Sequence, residues 1–265
     1  MSEADGGPKH ALVTGAGRRV GAAIARCLAG AGWTVTIHYR SARHDAEALA
    51  RAIIETGTAA RTYQADLGEA GAAAAMIAAV EQSGPPLSLL VNNAAIFDYD
   101  DVDSVTAESL GRHFSINAQA PILLAQAFGA AKLRQGRTGV VVNMIDNKIS
   151  APNADYFSYS VAKFALAGAT RMLAMALAPS VRVCGVAPSI LLVSGEQSEA
   201  DYGRTRAINP ARRPTSLEDV CRTVLFLAET DAMNGEIVTV DGGQTLMNLP
   251  RDVAFLDDAI VKGFQ

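Results

Sequence analysis

A single α/β domain built on a doubly wound parallel sheet is the fold class this sequence predicts, and three observations predict it. Short apolar runs alternate with helical patterns from His10 onward. Glycine and proline breakers separate the two kinds of segment. Seven strand-like runs appear in all, with helical stretches between them that are long enough to serve as right-handed crossovers. The 265 residues suffice for one such domain with a sizeable core.

The first run, His10–Thr14, is short, apolar and stopped by Gly15, as expected of a strand buried on both faces. Val20–Ala31 reads as an alanine-rich helix ending at Gly32. Trp33–Tyr39 is strand-like, Asp45–Thr56 helical and Ala60–Ala65 a strand again. Helical Glu69–Gln82 runs into Ser83-Gly84-Pro85-Pro86, a breaker, before strand Leu87–Val91. One long helix is expected over Ser109–Leu133, then strand Gly139–Met144. Tyr159–Ala178 is helical, Val181–Val186 a strand, Leu217–Glu229 a helix and Glu236–Val240 the last strand.

Three stretches fall outside this rhythm. Residues 1–8 are a polar, flexible N-terminus with no apolar signal core. Residues 189–216 lack a clear core pattern and are expected to form a substrate loop. Residues 248–265 form a tail whose apolar positions (Val253, Phe255, Leu256, Ile260, Val261) either pack on a neighbouring subunit or wander. With no internal repeat and no linker, residues 1–265 are read as one domain.

Acidic side chains (27) slightly outnumber basic ones (23), which argues against a nucleic-acid binder needing a basic face. Cys27, Cys184 and Cys221 are far apart, and no Cys-x-x-Cys or His-Glu-x-x-His pattern occurs. Neither a disulfide framework nor a metal site is expected, and the thiols read as reduced residues of a cytoplasmic protein. No apolar run has the length of a membrane span.

Thr14-Gly-Ala-Gly-Arg-Arg-Val-Gly21 joins the first strand to the first helix. Gly15 can turn where a side chain could not, and Gly21 lets the helix approach the sheet. The helix N-terminus then offers N–H groups and a positive dipole end to a pyrophosphate. The end of the second strand carries His38-Tyr39-Arg40-Ser41, with no acid before Asp45. A carboxylate for the ribose hydroxyls of NAD is therefore missing, while Arg40, Ser41 and Arg19 suit the 2′-phosphate of NADPH.

Tyr159-Ser-Val-Ala-Lys163 places a phenol and an ammonium on one helical face. The lysine charge is expected to lower the tyrosine pKa from about 10, fitting the phenol to deliver a proton to a developing alkoxide or amine.

These pieces, together with Asp66-Leu67, Asn92-Asn-Ala-Ala95, Asn117, Val186-Ala-Pro188 and Asp241-Gly-Gly243, resemble the short-chain dehydrogenase/reductase family over residues 9 to 247. The resemblance implies a Rossmann-type fold and a homotetramer. It puts Gly15, Arg19, Val20, His38, Tyr39, Arg40 and Ser41 at the cofactor, with Asp66 and Leu67 at the adenine. It also implies Asn93 and Ala94 along the cofactor, Pro188 and Ser189 by the carboxamide, Lys163 on the nicotinamide ribose, and Asn117 in a water relay to Lys163.

Two departures narrow the likeness. Asn143-Met-Ile-Asp146 stands where most members carry a serine, and Arg19 where most carry a glycine. Both changes are similar to the pteridine reductases, in which an aspartate precedes the tyrosine by the spacing of Asp146 and Tyr159. Phe97 matches the aromatic that sandwiches the pterin. The expectation is an NADPH-dependent reductase of a dihydropterin, of the dihydromonapterin or dihydrobiopterin type or dihydrofolate, with Asp146, Tyr159, Lys163 and Asn117 as catalytic residues. Phe97, Asp146 and Tyr159 would bind substrate. A reductase of a ketone, aldehyde or quinone, and a non-catalytic NADP-binding protein, stay open as alternatives.

Overall fold

The computed structural model describes residues 9–193, 202–203 and 205–256. The expectations for residues 1–8, for much of the substrate loop (194–201 and 204) and for 257–265 lie outside the described residues.

Seven strands pair in parallel in the order β3-β2-β1-β4-β5-β6-β7. They are β1 (His10–Val13), β2 (Thr34–Tyr39), β3 (Ala60–Gln64), β4 (Leu89–Asn92), β5 (Gly139–Met144), β6 (Val181–Pro188) and β7 (Ile237–Val240). The helices are α1 (Arg19–Gly30), α2 (Arg43–Glu55), α3 (Ala72–Gln82), α4 (Ala107–Phe114), α5 (Ala120–Gln135), α6 (Phe157–Ala176) and α7 (Leu217–Glu229).

Alternation along the strands sorts the core into two layers. Ala11, Val13, Leu89, Val91, Val140 and Val142 face α1, α2 and α7. Leu12, Leu90 and Val141, their neighbours in sequence, face α3, α5 and α6. Strand order reverses between β1 and β4, so the crossovers depart to opposite sides there and leave a crevice at the strand C-termini.

The expected long helix over Ser109–Leu133 is interrupted. A π turn spans Ser115–Gln119, between α4 and α5. Pro121 has no N–H to return to the Asn117 carbonyl four residues earlier, so the regular ladder cannot run through this segment. The helix expected from Glu69 starts only at Ala72, because Gly71 occupies the left-handed region at its N-cap. Strand β6 continues to Pro188, two residues beyond expectation, and so carries Pro188 into the crevice.

The tail corrects a sequence expectation. Val253 and Leu256 are buried against Ile208 of the same chain, and Phe255 packs edge-on to Tyr99. Val253 and Leu256 are therefore taken up by their own chain, whereas Phe255 keeps an exposed side.

One buried charge pair ties α3 to α5. Lys132 lies 2.8 Å from Glu81 and donates to the Leu87 carbonyl at 2.5 Å. Both side chains are nearly inaccessible. Replacing Lys132 with Met strands the carboxylate, so chemical denaturation should show a loss of about 3–5 kcal/mol. Adding Glu81→Leu should recover part of it, and a single variant as stable as the wild type would refute this account.

Candidate active site

A cleft of about 660 Å³ opens at the β1/β4 reversal. Every residue predicted at the site lines it except Asn117. One end of it is built from the loop after β1. Gly15 has φ +61, and a Cβ there would stand 2.8 Å from the Ala94 Cα. A Cβ on Gly21 would meet Asn93 Nδ2 and the Gly15 carbonyl oxygen, each at 2.6 Å. Both glycines are therefore steric necessities.

Thr14 and Asn93 stitch the two loops together. Thr14 Oγ1 accepts the N–H groups of Asn93 and Ala94 at 2.9 and 3.0 Å. Asn93 Nδ2 donates to the carbonyls of Thr14 and Gly15. No side chain caps the N-terminus of α1, and no acid lies in its first turn. Its first N–H groups therefore have no side-chain cap. Arg19 adopts φ +54 where glycine would be unstrained, and its guanidinium donates to the Val193 carbonyl.

His38 is a structural pin as well as a wall residue. Gly15 N–H donates to its Nδ1 at 3.0 Å, and Nε2 faces the Ala65 carbonyl at 3.1 Å. The two partners define a neutral ring with its proton on Nε2. Burial holds its pKa below the ordinary value. Arg40 and Ser41 are exposed at the rim. Asp45, the nearest acid in sequence, is engaged by Arg18 at 2.5 Å. Asp66 is tethered through the Gly68 N–H, and Ser189 through Thr215.

The far end holds the titratable groups. Asp146 follows β5, and its carboxylate caps the short turn after it by accepting the Lys148 N–H. Its other oxygen accepts the Tyr159 hydroxyl at 2.9 Å. Lys163 is 3% exposed and donates to the Met144 carbonyl at 2.6 Å.

Burial raises the Asp146 pKa against the pull of Lys148, and brings Lys163 down to about 8. The expected lowering of the tyrosine pKa is overturned. Burial and the Asp146 charge hold Tyr159 well above its ordinary value, because its hydroxyl gives its hydrogen bond to a carboxylate.

Phe97 stacks on Tyr156 at 4.0 Å between centroids and meets Tyr159 edge-on at 4.7 Å. Asn117 sits behind this wall. Its amide oxygen accepts the Ile96 N–H and its amide nitrogen donates to the Ile96 carbonyl, both at 2.9 Å. It therefore clasps the loop that carries Phe97.

Tyr156, Lys148, Arg251 and Asp252 also line the cleft and were not anticipated. No local spacing marks them, although the left-handed φ of +55 at Tyr156 sets its ring apart from the helix that begins after it.

The geometry has counterparts. The family model described as enoyl-(acyl carrier protein) reductase matches residues 15–245. An uncharacterized oxidoreductase of Methylorubrum extorquens is 32% identical over 92% of this chain and 99% of its own length. Pteridine reductase 1 of Leishmania tarentolae is 31% identical over 89% of this chain and 96% of its own. The crystal structure of FolM alternative dihydrofolate reductase 1 from Brucella canis, complexed with NADP, has a TM-score of 0.85. It is 36% identical and covers 90% of this chain and 94% of that one.

His38 predicts an acid-labile fold. Unfolding restores its ordinary pKa of 6.5, so the unfolded chain binds the extra proton. The stability is whole above that pH and is lost as the pH falls below it. Thermal melts should show Tm declining on the acid side, less steeply in His38→Gln; equal slopes would clear His38 of this role.

Proposed function

Because this chain belongs to the short-chain dehydrogenase/reductase family, we propose that it is an NADPH-dependent reductase that converts a dihydropterin to the tetrahydro form. The observation that carries this reading is the Tyr159–Asp146 hydrogen bond, made where the family's usual serine is replaced by a carboxyl group.

The cofactor end fits a dinucleotide. The close approach at Gly15 and Gly21 and the uncapped N-terminus of α1 suit a pyrophosphate. Arg40 and Ser41, with Arg19 from the glycine loop, would hold the 2′-phosphate, since Asp45 is already engaged by Arg18. Asp66 and Leu67 would bound the adenine, Asn93 and Ala94 the middle of the cofactor, Tyr159 and Lys163 the ribose, and Pro188 and Ser189 the carboxamide. Bound NADPH supplies a hydride to the carbon of the ring C=N.

The protein must supply the proton that the neighbouring nitrogen takes. A tyrosine whose pKa is raised does not leave a phenolate behind, so its proton has to be replaced as it departs. Asp146, whose pKa burial raises, is in hydrogen-bond contact with Tyr159 and in its protonated form would return that proton. The contact seen with Tyr159 as donor then reverses, Asp146 donating to the phenolic oxygen while the hydroxyl donates to substrate. Lys163 at about 8 is still cationic at neutral pH and balances the carboxylate left behind. Phe97, Tyr156 and Tyr159 form an aromatic corner suited to a flat heterocycle. Asn117 would serve the water relay to Lys163 through its main chain, while its side chain positions the Phe97 loop.

An absorbance assay should show NADPH oxidised with dihydrobiopterin, dihydromonapterin or dihydrofolate, and NADH much more slowly. Asp146→Ser should lower kcat roughly 10²-fold. An unchanged kcat removes Asp146 from the chemistry, and no turnover with any pterin moves the search to carbonyl substrates.

We further propose a homotetramer. Val161, Phe164, Met172 and Met175 form an exposed apolar stripe along α6, and Leu123 and Leu133 are exposed on α5. Light scattering after size exclusion should give a tetramer mass; a monomer at micromolar concentration would contradict it.

A further inference from the structure

We propose that the ion pair between Lys148 and Asp252 makes the substrate end of the cleft electrically neutral and thereby sets which charge a substrate's substituent can carry. The role rests on the pterin reading above. Lys148 follows Asp146 by two residues, whereas Asp252 arrives from the tail, and both line the cleft.

The lysine is 6% exposed. Its ammonium lies 2.8 Å from Asp252 Oδ2 and 2.8 Å from Asn153 Oδ1. Asp252 is itself held in place. Its N–H donates to Asp155 at 2.8 Å, and its Oδ1 accepts the Ala254 N–H at 3.1 Å. Arg251 grips the same Asp155 through Nε and Nη2. The wall therefore carries two cations and two anions, each closed on its partner.

The fields of this pair reach the chemistry. Lys148 lowers the Asp146 pKa against the rise from burial, and Asp252 adds to the rise at Tyr159. The groups facing Asp146 are Tyr159 and Lys163 from α6 and Lys148 from its own turn, with Asp252 behind Lys148. A substituent on a ring held at Asp146 lies within the same range, since charges act over roughly 8 Å at physiological salt. A cancelled pair offers hydrogen-bonding atoms to a hydroxyl-bearing substituent and no net attraction to a carboxylate. Removing either partner gives the wall a sign.

The test compares dihydrofolate, whose glutamate is anionic, with uncharged dihydrobiopterin, using NADPH in steady-state kinetics. Asp252→Asn keeps an oxygen for the Ala254 N–H and leaves Lys148 unopposed. The KM for dihydrofolate should then fall roughly threefold to tenfold relative to that for dihydrobiopterin. Lys148→Gln leaves Asp252 unopposed and should move the same ratio the other way. Both shifts should shrink as salt is raised.

A tail that was merely loosened would move both variants in one sense and without salt dependence. Parallel shifts, or an unmoved ratio, therefore overturn the proposal. If one variant does not fold, the sign and salt dependence of the other decide. Wild-type turnover with an unmoved ratio removes this inference alone; turnover of neither pterin removes the pterin reading and this inference with it.

Discussion

Two loops must lie almost in contact at the point where strand order reverses, and the rest of the site depends on that constraint. Parallel strands β1 and β4 end side by side, and their crossovers leave toward opposite faces of the sheet. Unless something joined the loops, the crevice would be only a gap between two mobile connections. Thr14 and Asn93 join them through four hydrogen bonds, and Gly15 and Gly21 remove the side chains that would hold them apart. His38 adds a third tie, from β2 to the Gly15 N–H. The loop after β1 is therefore pre-formed by the sheet, so a ligand bound there would require little further ordering.

The chemistry at the other end works by a different balance. Burial disfavours the charged forms of Asp146, Tyr159 and Lys163 alike, while Tyr159 donates to Asp146 and Lys163 to the Met144 carbonyl. Burial thus pushes the carboxyl group and the phenol up and brings the lysine down to about 8. The proposed relay runs through the Tyr159–Asp146 hydrogen bond. A serine in place of Asp146 could orient a substrate oxygen but could not return a proton from its own titration. The carboxyl group gives this site its distinctive capacity.

Much of this was legible in the chain. Strand β5 and helix α7 appear with the bounds that apolar patterning and flanking breakers gave them. The Tyr159–Lys163 spacing and the glycine loop declared themselves because both are local devices, written in neighbouring residues. The direction of the Tyr159 shift was not legible. Sequence displays the lysine charge, whereas the winning effects, burial and the carboxylate at 2.9 Å, depend on packing across the cleft. Asn117 reads as part of one continuous helix, although Pro121, whose missing N–H breaks that helix into a π turn, stands only four residues away in the sequence. Lys148 and Asp252 were invisible because nothing local records a contact between residues so far apart.

The tail governs the substrate end through contacts of that same distant kind. Residues Asp146 to Tyr156 form a connection with little core of its own, between β5 and α6. Asp155 within it is buried and would be costly without Arg251, and Lys148 would be so without Asp252. Phe255 supports the Tyr156 ring at 6.0 Å, and Tyr156 in turn backs Phe97. The substrate end therefore takes its rigidity from a segment outside the sheet, while the cofactor end takes its rigidity from the sheet itself. Change in the tail can thus alter what the cleft admits without disturbing the loop after β1. That separation is a physical route by which one sheet can keep a cofactor and exchange substrates.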